Sequence, residues 1–279
     1  MKTHQNKILV NGEQSSSIHI NDRGLQFGDG VFETIRVHQG RPVWWQQHME
    51  RLLEGCRRLR FTHLPDDKVL RAEACELSAD CLTGTLKIIV TRGTSSSGYA
   101  APADIMPNRV LQLSSGTRHQ SKSGQGIMLG ISEQRITGSQ QLSGIKHLNR
   151  LEQVLARMQC QAEGWDECIM LDIEDKVVEG SMSNLFIWQQ DRLLTPLLGQ
   201  AGIKGICRER IMSVAAAQGI DVQQCQLGLD DLQKSDGLFV CNSLIGIWPV
   251  VKYAGRTFDT GTNTRLLQAQ LEAEICSAE

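Results

Sequence analysis

Two residues of this chain have side-chain types and sequence positions that suit a catalytic role. Lys146, in GIKHLNRLEQVLA (144–156), is predicted to lie where an extended stretch meets a helix. The partial positive charge at a helix start disfavours an ammonium, and the free amine is the form that builds an imine with a carbonyl. Glu179, in VVEGSMSNLF (177–186), follows a predicted strand and could pair with a ring nitrogen or a cation. The ordinary alternatives are a solvated lysine and a turn carboxylate.

A second set of residues could bind an anion or line a ligand site. The segment 202–205, Gly-Ile-Lys-Gly, precedes a helix predicted to run to about residue 217. Exposed N–H groups at a helix start, with glycines that allow close approach, bind anions, although the same pattern also fits a plain helix start. Asn242 and Ser243 follow the predicted strand 237–241. Polar residues there line a ligand site or cap a turn.

Four further residues are isolated candidates. Phe32 lies in a β-rich run and is predicted to belong to the core, whereas Arg92 stands beside a glycine and is typical of a turn. Arg51 lies off the apolar stripe of its predicted helix, so periodicity predicts ordinary exposure. Tyr99 closes the small-residue loop RGTSSSGY (92–99). The pattern alone gives none of the four a role.

The elements that must position these residues are a mixture of strands and helices. Strands are predicted from apolar runs and turn signals at 8–10, 31–37, 86–90, 110–113, 127–131, 168–171, 177–178, 185–188 and 237–241. Helices are predicted at about 44–59, 147–161, 206–217 and 264–275. In the second helix, an apolar stripe of Leu148, Leu151, Val154, Leu155 and Met158 predicts the buried face. Such a mixture indicates an α+β protein.

Composition bounds the class of protein. The 279 residues are 41% hydrophobic and 22% charged with a formal charge of −2, so neither nucleic acid nor an anionic membrane is an expected partner. The nine cysteines are scattered without a CxxC pair, so no zinc ribbon is indicated and no metal is expected. A reducing compartment fits best. No signal peptide or membrane span is visible, so we expect a soluble cytoplasmic protein.

A polar segment, SSGTRHQSKSGQG at 114–126, is the clearest break in the sequence. It holds three glycines and four serines without a large apolar residue, which is typical of a linker. We therefore expect a smaller domain at 1–113 and a larger one at 127–279.

Six segments in this order resemble the fold-type IV pyridoxal-phosphate enzymes. This family includes branched-chain aminotransferases, D-amino-acid aminotransferases and aminodeoxychorismate lyases. The resemblance covers nearly the whole chain. It is carried by DRGLQFGDGVFETIRV (22–37), HMERL (48–52), GIKHLNRLEQVLA (144–156), VVEGSMSNLF (177–186), AGIKGICR (201–208) and VCNSLIGIWPV (240–250).

The resemblance implies a cofactor and a role for each candidate. Lys146 is expected to carry pyridoxal 5'-phosphate and to move protons, and Glu179 to pair with the pyridine nitrogen. The resemblance assigns the phosphate to Arg51, to the backbone N–H groups of Ile203 and Lys204, and to Ser243. The substrate candidates are Phe32, Arg92, Tyr99 and Asn242.

The resemblance also implies an architecture. We expect a small N-terminal α/β domain and a larger C-terminal β-barrel-like domain with flanking helices. A homodimer whose active site lies near the subunit interface is expected as well.

Within the family, the chain resembles the lyase branch. Arg150 and Glu152 follow Lys146 closely, and the loop 92–99 has that branch's arginine-glycine start and glycine-tyrosine end. It departs from the branch at Ser97, where an arginine is expected. The resemblance implies a lyase that converts the small molecule 4-amino-4-deoxychorismate to 4-aminobenzoate and pyruvate for folate synthesis. The alternatives are a fold-type IV aminotransferase of D-amino or branched-chain amino acids, and a non-enzymatic anion-binding module, against which the intact Lys146 and Glu179 argue.

Overall fold

The computed structural model describes residues 7–116 and 120–277. Its strands are β1 (Lys7–Val10), β2 (Glu13–Gln14), β3 (Gly30–His38), β4 (Arg41–Pro42), β5 (Thr83–Thr91), β6 (Asn108–Ser115), β7 (Ile127–Ile136), β8 (Glu167–Asp172), β9 (Val177–Gly180), β10 (Asn184–Gln189), β11 (Arg192–Pro196), β12 (Asp221–Cys225), β13 (Gly237–Asn242), β14 (Gly246–Tyr253) and β15 (Arg256–Thr257). Its helices are α1 (Arg23–Phe27), α2 (Trp45–Arg58), α3 (Asp67–Ser78), α4 (Gln120–Gln125), α5 (Leu151–Glu163), α6 (Ile206–Ala217), α7 (Leu229–Lys234) and α8 (Thr262–Ser277). The mixture of strands and helices agrees with the predicted α+β class.

The chain forms two compact units, of which the first comprises residues 7–116 together with 145–149 and Ser277. Its sheet has the order β2-β1-β6-β5-β3-β4, and neighbouring strands are antiparallel. Alternate residues of β3 are buried, as expected for a sheet with one covered face. The core joins this face to α2 and α3, and it includes Val31, Ile35, Leu52, Leu70 and Leu86.

The second unit comprises residues 120–144 and 150–276. Its sheet has the order β12-β11-β10-β13-β14-β7-β8-β9, with β15 paired to β14. The pairs β11/β12, β14/β7 and β7/β8 are parallel and the others are antiparallel. The strands β8 to β11 are buried almost throughout, and the main core includes Leu129, Ile169, Leu185, Val240 and Trp248.

The predicted linker at 114–126 contains regular secondary structure at both ends. Strand β6 extends to Ser115, and α4 occupies Gln120–Gln125. Lys122 on α4 forms an ion pair with Asp166, with a distance of 2.5 Å between Nζ and Oδ1. Residues 117–119 of the predicted linker lie outside the described residues, and the domain limits at 113 and 127 stay a prediction.

Helix α5 differs from the prediction in its start and in its orientation. It begins at Leu151 rather than at residue 147, because residues 146–148 pair with β3 instead. The predicted apolar stripe does not face the core, since Leu151 is 77% and Met158 60% exposed. The buried positions of α5 are Gln153, Ala156 and Cys160. The period was therefore predicted correctly, but the buried face was wrong.

No helix within residues 7–116 and 120–277 is long and apolar enough to cross a membrane.

Candidate active site

Lys146 is held against β3 by backbone pairing. The Phe32 N–H donates to the Lys146 carbonyl at 2.9 Å, and the Leu148 N–H donates to the Gly30 carbonyl at 3.0 Å. The Lys146 Nζ lies 4.4 Å from the centroid of the Phe32 ring. Because α5 begins only at Leu151, the argument that a helix start favours the free amine of Lys146 was wrong. The strand, rather than a helix start, positions this lysine.

Arg51 belongs to a buried charged cluster that links α2 to β3. Glu33 is fully buried, and its Oε2 lies 2.6 Å from His48 Nδ1. Arg51 donates from Nε to Glu33 Oε1 at 2.7 Å and from Nη2 to Oε2 at 2.6 Å. The Arg51 side chain is only 13% exposed, so the ordinary exposure predicted from periodicity was wrong. The carboxylate of Glu33 explains how a charged residue is accommodated there.

The electrostatics of this cluster fix its protonation states. Burial opposes ionisation of Glu33, but the charges and hydrogen bonds of Arg51 and His48 outweigh it and lower the Glu33 pKa to about 2. Burial lowers the pKa of His48, the charge and hydrogen bond of Glu33 oppose this shift, and the charges of Arg51 and Lys146 reinforce it, so the pKa is lowered overall. At neutral pH Glu33 is therefore ionised, and a neutral His48 donates from Nδ1. The His48 Nε2 is buried with no hydrogen-bond partner among the described residues.

Sequence reasoning did not single out Glu33 or His48, although a signal for Glu33 was present. Val31, Ile35 and Val37 alternate along β3 and are buried, and Glu33 occupies the same face. A carboxylate in register with a buried apolar face requires a partner. The signal for His48 is weaker, because it precedes Arg51 by three residues, a spacing that places both on one side of a helix.

Glu179 lies on β9 and is 3% exposed. Its Oε2 accepts a hydrogen bond from the Ile203 N–H at 2.8 Å. The Lys204 N–H donates to the Gly144 carbonyl at 3.2 Å. Both N–H groups that were predicted to hold a phosphate therefore have acceptors within the protein. They tie the glycine-rich segment to Glu179 and to Gly144.

The start of α6 offers other donors. Its first N–H groups lack intrahelical acceptors, as at any helix start, and the N-cap residue Gly205 has no side chain to cap them. A Cβ at Gly205 would lie 1.9 Å from Asn184 Oδ1, so only glycine fits. The Lys204 side chain is 65% exposed, and its Nζ lies 3.7 Å from Glu209 Oε2. The helix start therefore has the character of an anion site, whereas the Lys204 ammonium faces solvent.

A second buried carboxylate, Glu167, shapes the turn that follows Glu179. Its Oε1 accepts from the N–H and the hydroxyl of Ser181, and its Oε2 accepts from the Ser183 hydroxyl at 2.9 Å. Sulfur atoms of Cys160 and Cys168 lie within 4.8 Å of a Glu167 oxygen, but the turn already occupies both oxygens. Glu167 is thus an anchor for residues 181–183, and sequence reasoning missed it because β8 resembles an ordinary buried strand.

The two residues that mark the lyase-like branch have local roles in the second unit. The Glu152 Oε1 accepts from the Thr137 N–H at 2.9 Å. Burial lowers the pKa of Arg150, and the nearby charges of Glu179 and Glu152 partly offset this. Arg150 is therefore close enough to Glu179 for an attractive electrostatic interaction.

Asn242 is the last residue of β13, and Ser243 begins the turn that follows. The Asn242 Nδ2 donates to the Met182 carbonyl at 3.0 Å, and its Oδ1 accepts from the N–H groups of Leu244 and Ile245. Its side chain thus ties two turns together. Ser243 is half-buried beside it.

Arg92 is an anchor within the first unit. It donates from Nε and Nη2 to the two oxygens of Asp29 at 2.8 and 3.0 Å, and to the carbonyls of Leu59 and Arg60. These contacts leave its charge compensated by protein. Tyr99 is 90% exposed, and its ring centroid lies 5.5 Å from that of Phe27.

Comparisons with known proteins place this fold and these residues in a class. The family model of the class IV amino-transferases matches residues 30–253, and the chain belongs to that family. The α+β, fold-type IV prediction is thereby confirmed.

Particular relatives refine the class. The chain is 31% identical to the aminodeoxychorismate lyase of Vibrio harveyi, over 94% of this chain and 98% of the relative. It is 29% identical to a D-alanine aminotransferase of Listeria monocytogenes, over 89% and 88% of the two chains. The crystal structure of 4-amino-4-deoxychorismate lyase from Pseudomonas aeruginosa matches with a TM-score of 0.90 and 38% identity, covering 95% of this chain and 98% of that one.

Proposed function

We propose that this protein is a pyridoxal-phosphate-dependent lyase that converts 4-amino-4-deoxychorismate to 4-aminobenzoate and pyruvate, a step of folate synthesis. One observation carries the proposal. The similarity to a lyase structure extends over 95% of the chain at 38% identity, whereas the D-alanine aminotransferase of Listeria monocytogenes is 29% identical.

The residues present fit the proposed cofactor. The cofactor's aldehyde requires an amine, and Lys146 presents one from a backbone segment that is hydrogen-bonded to β3. Its ring nitrogen requires an anionic partner, and Glu179 is a buried carboxylate. Its phosphate requires donors with positive charge, which an oriented arginine and the start of a helix supply.

Each polar group would then have a defined role in the reaction. Pyridoxal phosphate, when bound, supplies an electron-withdrawing ring that stabilises negative charge on the carbon that carries the substrate amine. The Lys146 amine would first link the cofactor and, once displaced by the substrate, remove the proton from that carbon. Lys146 would also return a proton to the departing enolpyruvyl group, which leaves as pyruvate. The Glu179 carboxylate would keep the ring nitrogen protonated.

The phosphate contacts are proposed with one change from the sequence prediction. Arg51, Ser243 and the N–H groups at the start of α6 would bind the phosphate. The Ile203 and Lys204 N–H groups would keep their present acceptors. In this arrangement the Ile203 N–H orients Glu179 rather than the phosphate.

The predicted substrate residues divide into those that would contact the substrate and those that anchor the protein. Phe32 would line the place of the reacting amine, because its ring faces the Lys146 Nζ. The hydrogen bonds of Arg92 and Asn242 support an anchoring role for both, so we do not assign the substrate carboxylates to them. Tyr99 stays a predicted substrate contact, which its exposure in this chain leaves available.

A homodimer is part of the proposal, and an apolar stripe on α5 supports it. Leu151, Val154, Leu155 and Met158 are each at least 49% exposed. Such a stripe favours contact with a second protein surface, and we propose a second copy of this chain. Leu155→Glu should give a monomer in sedimentation, whereas the control Val69→Glu, at an isolated exposed position of α3, should not. A Leu155→Glu dimer would contradict this interface.

A cytoplasmic location is proposed as well. All nine cysteines lie within the described residues and carry free thiols, which fits a reducing compartment.

The decisive experiment offers the purified holoenzyme two reactions. Incubation with 4-amino-4-deoxychorismate should release 4-aminobenzoate and pyruvate in equal amounts. D-alanine with 2-oxoglutarate should give little product. Fast transamination without release of 4-aminobenzoate would establish the aminotransferase instead. A protein that never becomes yellow with the cofactor would be the non-enzymatic binding module.

A further inference from the structure

The charged cluster of Glu33, His48 and Arg51 lies in an otherwise apolar interface. Glu33 and His48 are fully buried, and the core around α2 and β3 consists of residues such as Val31, Met49 and Leu52. Buried ion pairs are seldom more stabilising than apolar residues of the same volume, because both charges must be desolvated. Stability therefore does not account for a carboxylate at this position.

The geometry indicates what the cluster does to Arg51. Two of the guanidinium nitrogens are bound to the two oxygens of one carboxylate, at 2.6 and 2.7 Å. His48 binds the same carboxylate at 2.6 Å through Oε2, which hinders its rotation. An arginine has many rotamers, and a bidentate pair restricts it to one orientation. Glu33 sets the direction of the Arg51 guanidinium, and His48 holds Glu33.

We propose that Glu33, supported by His48, is the positioning residue that orients Arg51 toward the phosphate of the cofactor. This inference rests on the proposed function, in which Arg51 binds that phosphate. Glu33 itself does not touch the cofactor. Its negative charge would repel the phosphate, but this charge is compensated at contact by Arg51. When the Glu33 carboxylate is removed, we expect the lost orientation of the Arg51 guanidinium to weaken phosphate binding more than the lost repulsion strengthens it.

The test compares two ligands that differ only in the phosphate. The apoprotein is titrated with pyridoxal phosphate and with pyridoxal, and the ratio of the two dissociation constants is measured. Glu33→Gln should weaken the affinity for pyridoxal phosphate about tenfold, as when a charge-assisted contact is misaligned. It should leave pyridoxal binding unchanged. His48→Leu should act in the same direction by a smaller factor.

A matched control comes from the same unit. Glu73 forms an ion pair with Arg109, in which Arg109 Nη2 lies 2.6 Å from Glu73 Oε1. Glu73→Gln removes an equivalent carboxylate from an arginine that has no proposed part in the site. Its ratio should equal that of the wild type, even if its thermal stability falls. A general effect of losing an ion pair is thereby separated from an effect on the phosphate.

Arg51→Ala distinguishes the inference from the proposed function. If Arg51→Ala leaves the ratio unchanged, the phosphate contact itself is wrong. If Arg51→Ala changes the ratio but Glu33→Gln leaves it unchanged or favours pyridoxal phosphate, only the positioning role is overturned. The double variant should bind no more weakly than Arg51→Ala alone. If Glu33→Gln does not fold, His48→Leu and Glu33→Asp, which keeps the charge but shortens the reach, must show the changed ratio or the inference fails.

Discussion

Replacing Glu179 with glutamine isolates the charge of the proposed ring-nitrogen partner. Glu179 is 3% exposed, and its Oε2 accepts from the Ile203 N–H at 2.8 Å. Glutamine keeps an amide oxygen for that hydrogen bond, so the fold and the cofactor binding should survive. Two unit charges about 4 Å apart interact by ~4 kcal/mol at the effective dielectric constant of ~20 that suits protein sites. Retention of a neutral hydrogen bond should reduce the net loss to ~2–4 kcal/mol.

That loss should appear in kcat, because the partnership strengthens only as negative charge develops on the substrate carbon. A decrease of roughly 30-fold to 1,000-fold in kcat is expected, with a KM close to that of the wild type. The assay follows 4-aminobenzoate release by protein whose spectrum shows full cofactor loading. Glu174→Gln, at an exposed turn position beside Asp172, is the control and should be unaffected. If Glu179→Gln turns over at nearly the wild-type rate, the carboxylate has only a structural role as the acceptor of the Ile203 N–H.

Three further predictions concern the first unit. Lys146→Ala should abolish turnover, and borohydride should no longer fix the cofactor to the protein; recovery of fixed cofactor on Lys204 would contradict the assignment. Arg51→Ala should weaken cofactor affinity by roughly tenfold to a hundredfold, whereas unchanged retention on dialysis would exclude Arg51 from the site. The Glu33 pKa falls from its ordinary 4.5 to about 2 in the folded protein. Ionised rather than protonated Glu33 therefore adds on the order of 3 kcal/mol to the free energy of unfolding, and this contribution should be complete above pH ~4.5. It should be lost as the pH falls toward 2, so the stability difference between wild type and Glu33→Gln should shrink over that range; a constant difference would refute the pKa shift.

Most strands and four of the eight described helices could be predicted from the sequence because local patterns determine them. The alternation of Val31, Ile35 and Val37 in β3 and the helical period of Met49, Leu52 and Cys56 in α2 each reflect one covered face. Helix α5 shows the limit of this reasoning. A period gives the spacing of an apolar face but does not say what covers it, and the stripe of α5 is exposed. A stripe that binds a second chain has the same sequence pattern as one that binds the core.

The predicted start of α5 was wrong for a different reason. Residues 146–148 continue the helical period in the sequence, yet their N–H and carbonyl groups pair with β3. A long-range partner therefore displaced the local preference. No window of neighbouring residues contains that information, because Gly30 and Leu148 are far apart in the chain.

The residue types of the candidate site could be predicted, but their hydrogen-bond partners could not. Arg92 and Arg51 are both arginines near candidate loops, and each is bound bidentately by an aspartate or a glutamate. Arg92 also donates to the backbone carbonyls of Leu59 and Arg60 and lies over the Phe61 ring, which are contacts that suit a structural anchor. A carboxylate partner alone therefore cannot distinguish an anchor from a ligand-binding arginine. The ratio of the dissociation constants for pyridoxal phosphate and pyridoxal makes that distinction, because the two ligands differ only in the phosphate that the arginine would bind.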